Sequence, residues 1–285
     1  MPKKETRITL EQLQKRVASL STLPTLPGVA KHMSRMVEDR SSSASDIGDL
    51  ISKDQVLSAR ILRLVNSPIY GFPGRISSIT HALVLLGFNV VKGLILGTSV
   101  FESFAKQAQG LWEHSLGCAI VSRKIGRELG MPDVEEIMIA GLLHDLGKAV
   151  LSHVAEAGFR DALAIARKKN CHIAQAERDI FGVDHARVAS WIAEEWHLPP
   201  RLSDALAYHH RPDLAKHSKP GAAVVHLADV LARGMEYGWP GDNTMPPLND
   251  DAFQSLGISF EQIDQVLEHS ESEFAAGADI FSVGD

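Results

Sequence analysis

Apolar residues recur along most of the chain at intervals of three and four, which is the spacing of one face of an α-helix. The first such segment begins near Thr9 and carries Leu10, Leu13, Val17 and Leu20. No alternating segment is long enough for a β-strand. The pattern therefore predicts an all-α protein, with later helices at about 29–37, 46–52, 55–65, 79–86, 90–104, 111–129, 134–145, 149–157, 160–169, 173–181, 184–196, 201–209, 220–235, 249–256 and 259–275.

Polar residues at the ends of these segments predict where helices start and stop. Ser45, Asp54 and Ser78 each precede an apolar helical pattern and can accept a hydrogen bond from the first turn, as N-cap residues do. Proline at position 68 and Gly87 end two of the patterns. These signals divide the first hundred residues into short helices.

A polar segment at residues 105–110 (AKQAQG) interrupts the helical pattern and predicts a hinge between two helical lobes. We expect a disordered lead at 1–8, an N-terminal helical lobe at 9–106, a second lobe at 107–240 and a C-terminal helical extension at 241–285.

The chain is organised around residues 140–148 (AGLLHDLGK), where His144 and Asp145 interrupt an apolar run. The apolar residues around this pair have helical spacing, so we expect one helix that continues through the pair and carries it on or beside a buried face. Burying an imidazole and a carboxylate costs several kcal/mol (roughly 2–7 for a polar group) unless they are paired or bind a metal. We expect Gly147 to thin or end this helix and to leave room for a ligand.

Composition excludes some classes of protein and favours others. The 285 residues carry a net charge of −6, which disfavours direct binding of nucleic acid. No apolar run approaches the roughly 18 residues of a membrane span, no signal core follows the charged start, and two cysteines imply no disulfide framework. We expect a cytoplasmic protein without membrane contact. Thirteen histidines are many for this length and suggest metal binding.

Seven polar residues that interrupt apolar helical patterns form a candidate ligand set. Imidazoles and carboxylates bind iron, manganese or zinc, and a bridging carboxylate suits a pair of ions. Each residue taken alone is better explained as an ordinary core, capping or surface residue. Their order along the chain is what favours a metal site: His114, His144, Asp145, His185, His209, His210 and Asp229.

That order resembles two related families. His114, the His144-Asp145 pair and Asp229 resemble the HD-domain metal-dependent phosphohydrolases, and His185 with the His209-His210 pair resembles the dinuclear HD-GYP phosphodiesterases. The best overall resemblance, over about residues 10–235, is to the HDOD family of bacterial signalling output domains. It is carried by residues 23–27 (LPTLP), 62–68 (LRLVNSP), 79–87 (ITHALVLLG) and 191–199 (WIAEEWHLP).

The resemblances imply different functions. HD-GYP enzymes hydrolyse cyclic di-GMP and carry a Gly-Tyr-Pro loop, whereas His210 is followed here by Arg211-Pro212-Asp213. HDOD domains are generally regarded as non-enzymatic, and many have lost the ligands that this chain keeps. The HDOD resemblance implies signal transduction through protein partners. One alternative is a phosphohydrolase that acts on a nucleotide or cyclic dinucleotide. Another is a protein whose metal ions stabilise the fold without catalysis.

Enzymatic activity is thus left open, but the roles it would need can be assigned. One or two metal ions, together with Asp145 as a catalytic residue, would lower the pKa of a bound water and hold a phosphoryl oxygen. Iron or manganese is expected in preference to zinc, nickel or magnesium. Lys148 would neutralise phosphate charge as a second catalytic residue, although it could equally be a helix C-terminal lysine that the helix dipole favours. Arg211 is a weaker candidate for a phosphate contact.

Overall fold

The structure is a computed structural model that describes residues 8–19, 43–68, 70, 72–104 and 110–278. Within these ranges it contains helices and no β-strand, which confirms the all-α prediction. Four sequence expectations lie wholly or mostly outside the described residues: the lead, the 23–27 segment, the helix at 29–37 and the hinge at 105–110. The division into lobes and extension stays a prediction.

Short capped helices build the N-terminal part. Asp54 and Ser78 accept hydrogen bonds from the first turns that follow them, as predicted. The prediction for Ser45 was wrong, because the cap is Ser43, which exchanges hydrogen bonds with Asp46 in a capping box and leaves Ser45 inside the helix. The helices are α1 (Leu10–Ser19), α2 (Ala44–Ser52), α3 (Gln55–Val65), α4 (Ile79–Leu86) and α5 (Phe88–Phe104).

The second part forms a bundle around the central pair, followed by two further helices. Its elements are α6 (Leu111–Glu128), α7 (Val134–Leu143), α8 (Leu146–Val154), α9 (Glu156–Lys169), α10 (Ile173–Phe181), α11 (His185–Glu195), α12 (Pro200–Tyr208), a 3₁₀ turn (Pro212–Leu214), α13 (Lys219–Gly234), α14 (Asp250–Leu256) and α15 (Phe260–Ala278).

The predicted single helix through His144 and Asp145 was wrong, because the chain turns at this pair. His144, the C-cap of α7, keeps helical angles, but Asp145 has φ −93° and ψ 10° and is the N-cap of a separate helix, α8. Both flanking helices are buried, so the apolar spacing continues across the turn and does not reveal it. The turn places both side chains where the two helices meet.

A continuous buried core joins the two parts. Helix α5 packs against α7 and α8, and α1 packs against α8 and α11. A buried polar contact reinforces this junction: the Arg123 guanidinium donates to the Glu135 carboxylate and, at 3.1 Å, to the carbonyl of Tyr70. The expectation that no apolar run reaches the length of a membrane span was wrong for Val134–Val154, which is apolar and long enough to cross a bilayer. Its most apolar window is 94% buried in the fold, as in the core helices of a folded domain.

Candidate metal centre

One group of ligand-type side chains lies between α6, α13 and the turn after α7. The Nε2 atom of His114 is 3.1 Å from Oδ1 of Asp229, and Nε2 of His144 is 3.9 Å from the same oxygen. Cys118, one helical turn after His114, brings its Sγ within 3.5 Å of His114 Nε2. All four side chains are buried, and one ligand atom from each lies within 4.8 Å of the others.

A second group lies between α11 and the end of α12. His185, His209 and His210 bring their ligand atoms within 4.8 Å of one another. The Nε2 atoms of His185 and His210 face each other at 2.9 Å. Glu177 fixes the orientation of His185, because its Oε2 accepts hydrogen bonds from the backbone N–H and from Nδ1 of that residue, at 2.8 and 2.6 Å.

Asp145 lies between the two groups and contacts both. Its Oδ2 is 3.3 Å from His144 Nε2 and 3.7 Å from His114 Nε2. Its Oδ1 is 3.2 Å from His185 Nε2 and 4.0 Å from His209 Nε2. The seven residues singled out in the sequence are therefore neighbours in space, with one carboxylate placed to bridge two ion positions.

Backbone carbonyls fix which nitrogen of two histidines faces this carboxylate. A carbonyl can only accept, so Nδ1 of His144 donates to Gly141 at 2.7 Å and Nδ1 of His209 donates to Leu206 at 3.0 Å. Nδ1 is thus the donor in each ring, and Nε2 is the nitrogen that faces inward, where a metal would bind.

The local electrostatics give most ligands the protonation state that a metal requires. Burial lowers the pKa of His209 and His210 well below its usual value, and the crowding of several histidines lowers it further, which favours the neutral form of both. Burial alone would raise the pKa of Asp145, but His144 and Lys148 outweigh it and hold that pKa well below its usual range. His185 differs: burial lowers its pKa, but Glu177 and Asp145 together outweigh burial and raise this pKa to about 9.

Several buried atoms here have no hydrogen-bond partner: Nε2 of His144, Nε2 of His209 and Nδ1 of His114. Oδ1 of Asp145 is 3.2 Å from Nε2 of His185 but has no well-aligned hydrogen bond. Buried polar atoms are rarely left unpaired, and a bound ion is one accepted reason for an exception. The donor set of imidazole and carboxylate atoms fits iron, manganese or zinc. The arrangement therefore fits two adjacent metal ions.

The two residues assigned to substrate chemistry occupy different environments. Lys148 is buried and its Nζ lies 2.6 Å from Oδ2 of Asp145. It is in the first turn of α8, so the alternative of a helix C-terminal lysine was wrong. Arg211 is exposed at the mouth of a cleft beside His210. The catalytic roles of Lys148 and Asp145 and the phosphate contact of Arg211 stay predictions.

Gly147 was expected to make room for a ligand, but in the structure the first residue of helix α11 occupies the space beside it. A Cβ at this position would overlap the backbone carbonyl of His185. The glycine therefore allows α8 and α11 to approach closely, which brings His185 to Asp145.

Three residues that the sequence did not single out, Cys118, Glu177 and Arg233, lie beside the candidate ligands, as does His226. Cys118 and Arg233 follow the ligands His114 and Asp229 by four residues, so helical spacing could have revealed them. Glu177 precedes His185 by eight residues across a helix break, and no spacing rule connects them. His226 supports His209, because its Nδ1 donates to the His209 carbonyl at 2.7 Å.

Arg233 closes one side of the centre. Its Nε donates to Oδ1 of Asp229 at 3.0 Å, and its guanidinium also reaches Asp242 and the carbonyl of Thr244. The contact ties α13 to the following loop and covers Asp229.

Solvent reaches the centre mainly at His210. The other six candidate ligands have relative exposures of 0 or 1%, whereas His210 is half-buried. It lines a cleft of about 350 Å³ together with Arg187, Arg211 and Lys216. The cleft also contains three acidic side chains, Asp184, Glu194 and Asp204. Asp204 has structural partners, because its Oδ2 accepts from the backbone N–H groups of residues 216, 217 and 218.

Comparisons with known proteins identify relatives over most of the chain. The model of the HDOD domain family matches residues 23–212. An uncharacterized protein of Treponema pallidum (strain Nichols) is 25% identical over 222 residues, which are 76% of this chain, and the chain spans only 43% of that protein's length.

Solved structures share the fold. An HDOD domain protein of unknown function from Geobacter sulfurreducens is 24% identical, with a TM-score of 0.73 over 96% of this chain and 100% of its own. A Marinobacter aquaeolei VT8 protein, provisionally named a signal transduction protein, is 20% identical with a TM-score of 0.69 over 97% of this chain and 62% of its own. A Shewanella amazonensis SB2B protein, provisionally named a metal-dependent phosphohydrolase, is 18% identical with a TM-score of 0.60, covering 94% of this chain and 97% of its own.

Proposed function

The chain belongs to the HDOD family, and we propose that it is a bacterial signal-transduction protein that acts through protein contacts and holds two metal ions. The observation that carries the proposal is the position of Asp145, whose two oxygens face two separate histidine groups. Iron or manganese is favoured by the ligand types, with zinc, nickel or magnesium as alternatives. We expect His114, His144, Asp145 and Asp229 to hold one ion, and Asp145, His185, His209 and His210 to hold the other.

Burial of the centre favours signalling over turnover of a large substrate. A phosphodiester must bring its phosphorus to the ions, yet six of the seven ligands have at most 1% relative exposure. Lys148 is engaged by Asp145, and Arg233 covers Asp229. Metal binding would therefore stabilise one conformation of the protein, and protein partners would bind that conformation. We further propose that the protein works in the cytoplasm, without direct contact to nucleic acid or membrane.

A second candidate function, a metal-dependent phosphohydrolase, is favoured by the cleft at His210. The cleft contains Arg187, Arg211 and Lys216, which suit an anionic group, beside the acidic Asp184, Glu194 and Asp204. Bound ions would lower the pKa of a coordinated water and hold a phosphoryl oxygen. A volume of about 350 Å³ is at the lower end of ligand sites, which span roughly 300–1,000 Å³. The cleft therefore suits a small phosphate monoester or mononucleotide better than a cyclic dinucleotide.

An assay of the metal-loaded protein against a phosphate monoester, a mononucleotide and cyclic di-GMP separates the two functions. The signalling proposal predicts no turnover above that of the Asp145→Ala variant. Turnover that Asp145→Ala abolishes would contradict it and support the hydrolase. In that case Arg211→Gln is expected to raise KM, and Arg201→Gln, an exposed arginine paired with Asp133, serves as the matched control.

A further inference from the structure

We propose that Cys118 is a sulfur ligand of the first ion, so that this position binds through imidazole, carboxylate and thiolate together. The inference rests on the proposed metal centre and adds a residue that neither the sequence nor the HD-type ligand order assigns. Nothing in the relatives' names bears on it. It is carried by the position of one sulfur atom, 3.5 Å from His114 Nε2 and within 4.8 Å of a ring nitrogen of His144, whose Nε2 has no hydrogen-bond partner.

Helix geometry directs Cys118 and His114 to the same place. They are four residues apart on α6, so they share one helix face. Gly141 allows α7 to approach this face closely, because a Cβ there would lie only 2.7 Å from the Cys118 carbonyl. This close approach places His144, in the turn after α7, beside the sulfur of Cys118.

The ligand separations agree with coordination of one ion. A Zn–S bond of about 2.3 Å and a Zn–N bond of about 2.0–2.1 Å in tetrahedral geometry place sulfur and nitrogen roughly 3.6 Å apart. The observed separation between Cys118 Sγ and His114 Nε2 is 3.5 Å. Asp229 Oδ1 lies 3.1 Å from the same nitrogen, and His144 Nε2, without a partner, completes the group.

If Cys118 were only a small buried side chain in the core, the position of its sulfur 3.5 Å from His114 Nε2 would be unexplained. The other polar contact of the sulfur is a long one, 3.9 Å to the carbonyl of Ala228, and a thiol is a weak donor. Coordination would break the S–H bond, form a metal–sulfur bond and release one proton to water for each ion bound. Thiolate favours zinc or iron(II) over manganese or magnesium, so it would narrow the choice of metal.

Cobalt(II) is the probe that tests this proposal, because a thiolate ligand gives cobalt an intense near-ultraviolet charge-transfer band that nitrogen and oxygen ligands do not give. The expected result is this band in the wild type and in Cys171→Ser, and its loss in Cys118→Ser and Cys118→Ala. Cys171 is the matched control because it is the chain's other cysteine and is not part of either group. Zinc affinity of the first position should also fall at least about tenfold in the Cys118 variants, with manganese affinity nearly unchanged.

Three results would overturn the proposal, and they have different meanings. Cobalt bound by the wild type without the band would remove Cys118 from the ligand set and leave the metal centre intact. A band that persists in Cys118→Ala would assign the sulfur elsewhere. Failure of the wild type to bind cobalt or zinc at all would overturn both the ligand and the centre. Circular dichroism of each metal-free variant shows that the fold is kept.

Discussion

The α-carbon of Gly147 lies against the backbone carbonyl of His185, with no room for a side chain between them. This contact sets the distance between α8, which begins just after Asp145, and α11, which begins at His185. It is the reason that Oδ1 of Asp145 and Nε2 of His185 are 3.2 Å apart. Assembly of the second ligand group therefore depends on a residue that has no side chain of its own.

We predict that Gly147→Ala separates α8 from α11 and weakens the second ion position. The added methyl group forces a backbone shift, which for overpacked cores costs typically about 1–3 kcal/mol of unfolding free energy. Metal content is expected to fall from two ions to one, because the first group does not involve α11. Thermal unfolding and elemental analysis of the same samples measure both effects.

Gly126→Ala is the matched control for this prediction. Gly126 is also a buried helical glycine, but a Cβ there would meet its neighbours at an ordinary 3.6 Å. Its replacement should keep both ions and leave stability equal or higher, since alanine favours a helix by about 1 kcal/mol over glycine. Equal metal loss in both variants would refute the role given to Gly147.

Glu177→Gln is predicted to weaken metal binding by the second group about 10- to 100-fold, which is typical of losing a carboxylate behind a ligand histidine. Glutamine keeps the size of Glu177 but loses the charge that raises the pKa of His185 and increases its basicity. The measurement is a metal titration followed by calorimetry. Glu194→Gln, on an exposed side chain of α11, is the control. Unchanged affinity in Glu177→Gln would mean that His185 is not a ligand.

Arg233→Gln should destabilise the metal-free protein more than the metal-loaded one. Its side chain, 4% exposed, compensates the buried carboxylates of Asp229 and Asp242, and removal of one partner from such a pair costs about 3–5 kcal/mol. A bound ion would take over part of the compensation at Asp229. Thermal unfolding with and without metal checks this.

The control for Arg233 is Arg127→Gln, whose side chain is 56% exposed and pairs with Glu135 at 3.7 Å. Exposed pairs contribute about 0–1 kcal/mol, so little change is expected in either state. An equal loss of stability for Arg233→Gln with and without metal would contradict the placement of an ion beside Asp229.

Removal of metal by a chelator is expected to lower the unfolding temperature, and refilling is expected to restore it. An ion present at 100 times its dissociation constant stabilises the folded state by about 2.7 kcal/mol per site. Asp145→Ala should unfold at the same temperature with and without chelator. If the chelator leaves the unfolding temperature of the wild type unchanged, the folded protein does not bind the proposed ions.

The sequence predicts the helical fold and the ligand candidates because both are expressed in local spacing and residue type. Asp54 and Ser78 cap helices as predicted, and the candidate ligands from His114 to Asp229 are neighbours in space. The turn at Asp145 escapes prediction because the apolar pattern runs through it unbroken. Glu177 escapes prediction because its partner His185 is reached across a helix break, through packing that only the fold defines.

Metal content of the purified protein tests the central claim most directly. Elemental analysis is expected to find two ions per chain in the wild type, one in His114→Ala, one in His209→Ala and none in His144→Ala/Asp145→Ala, with the fold of each variant checked by circular dichroism. This pattern follows from two ligand groups that share one carboxylate. A well-folded wild type that binds no metal, after exposure to iron, manganese and zinc, would contradict the account.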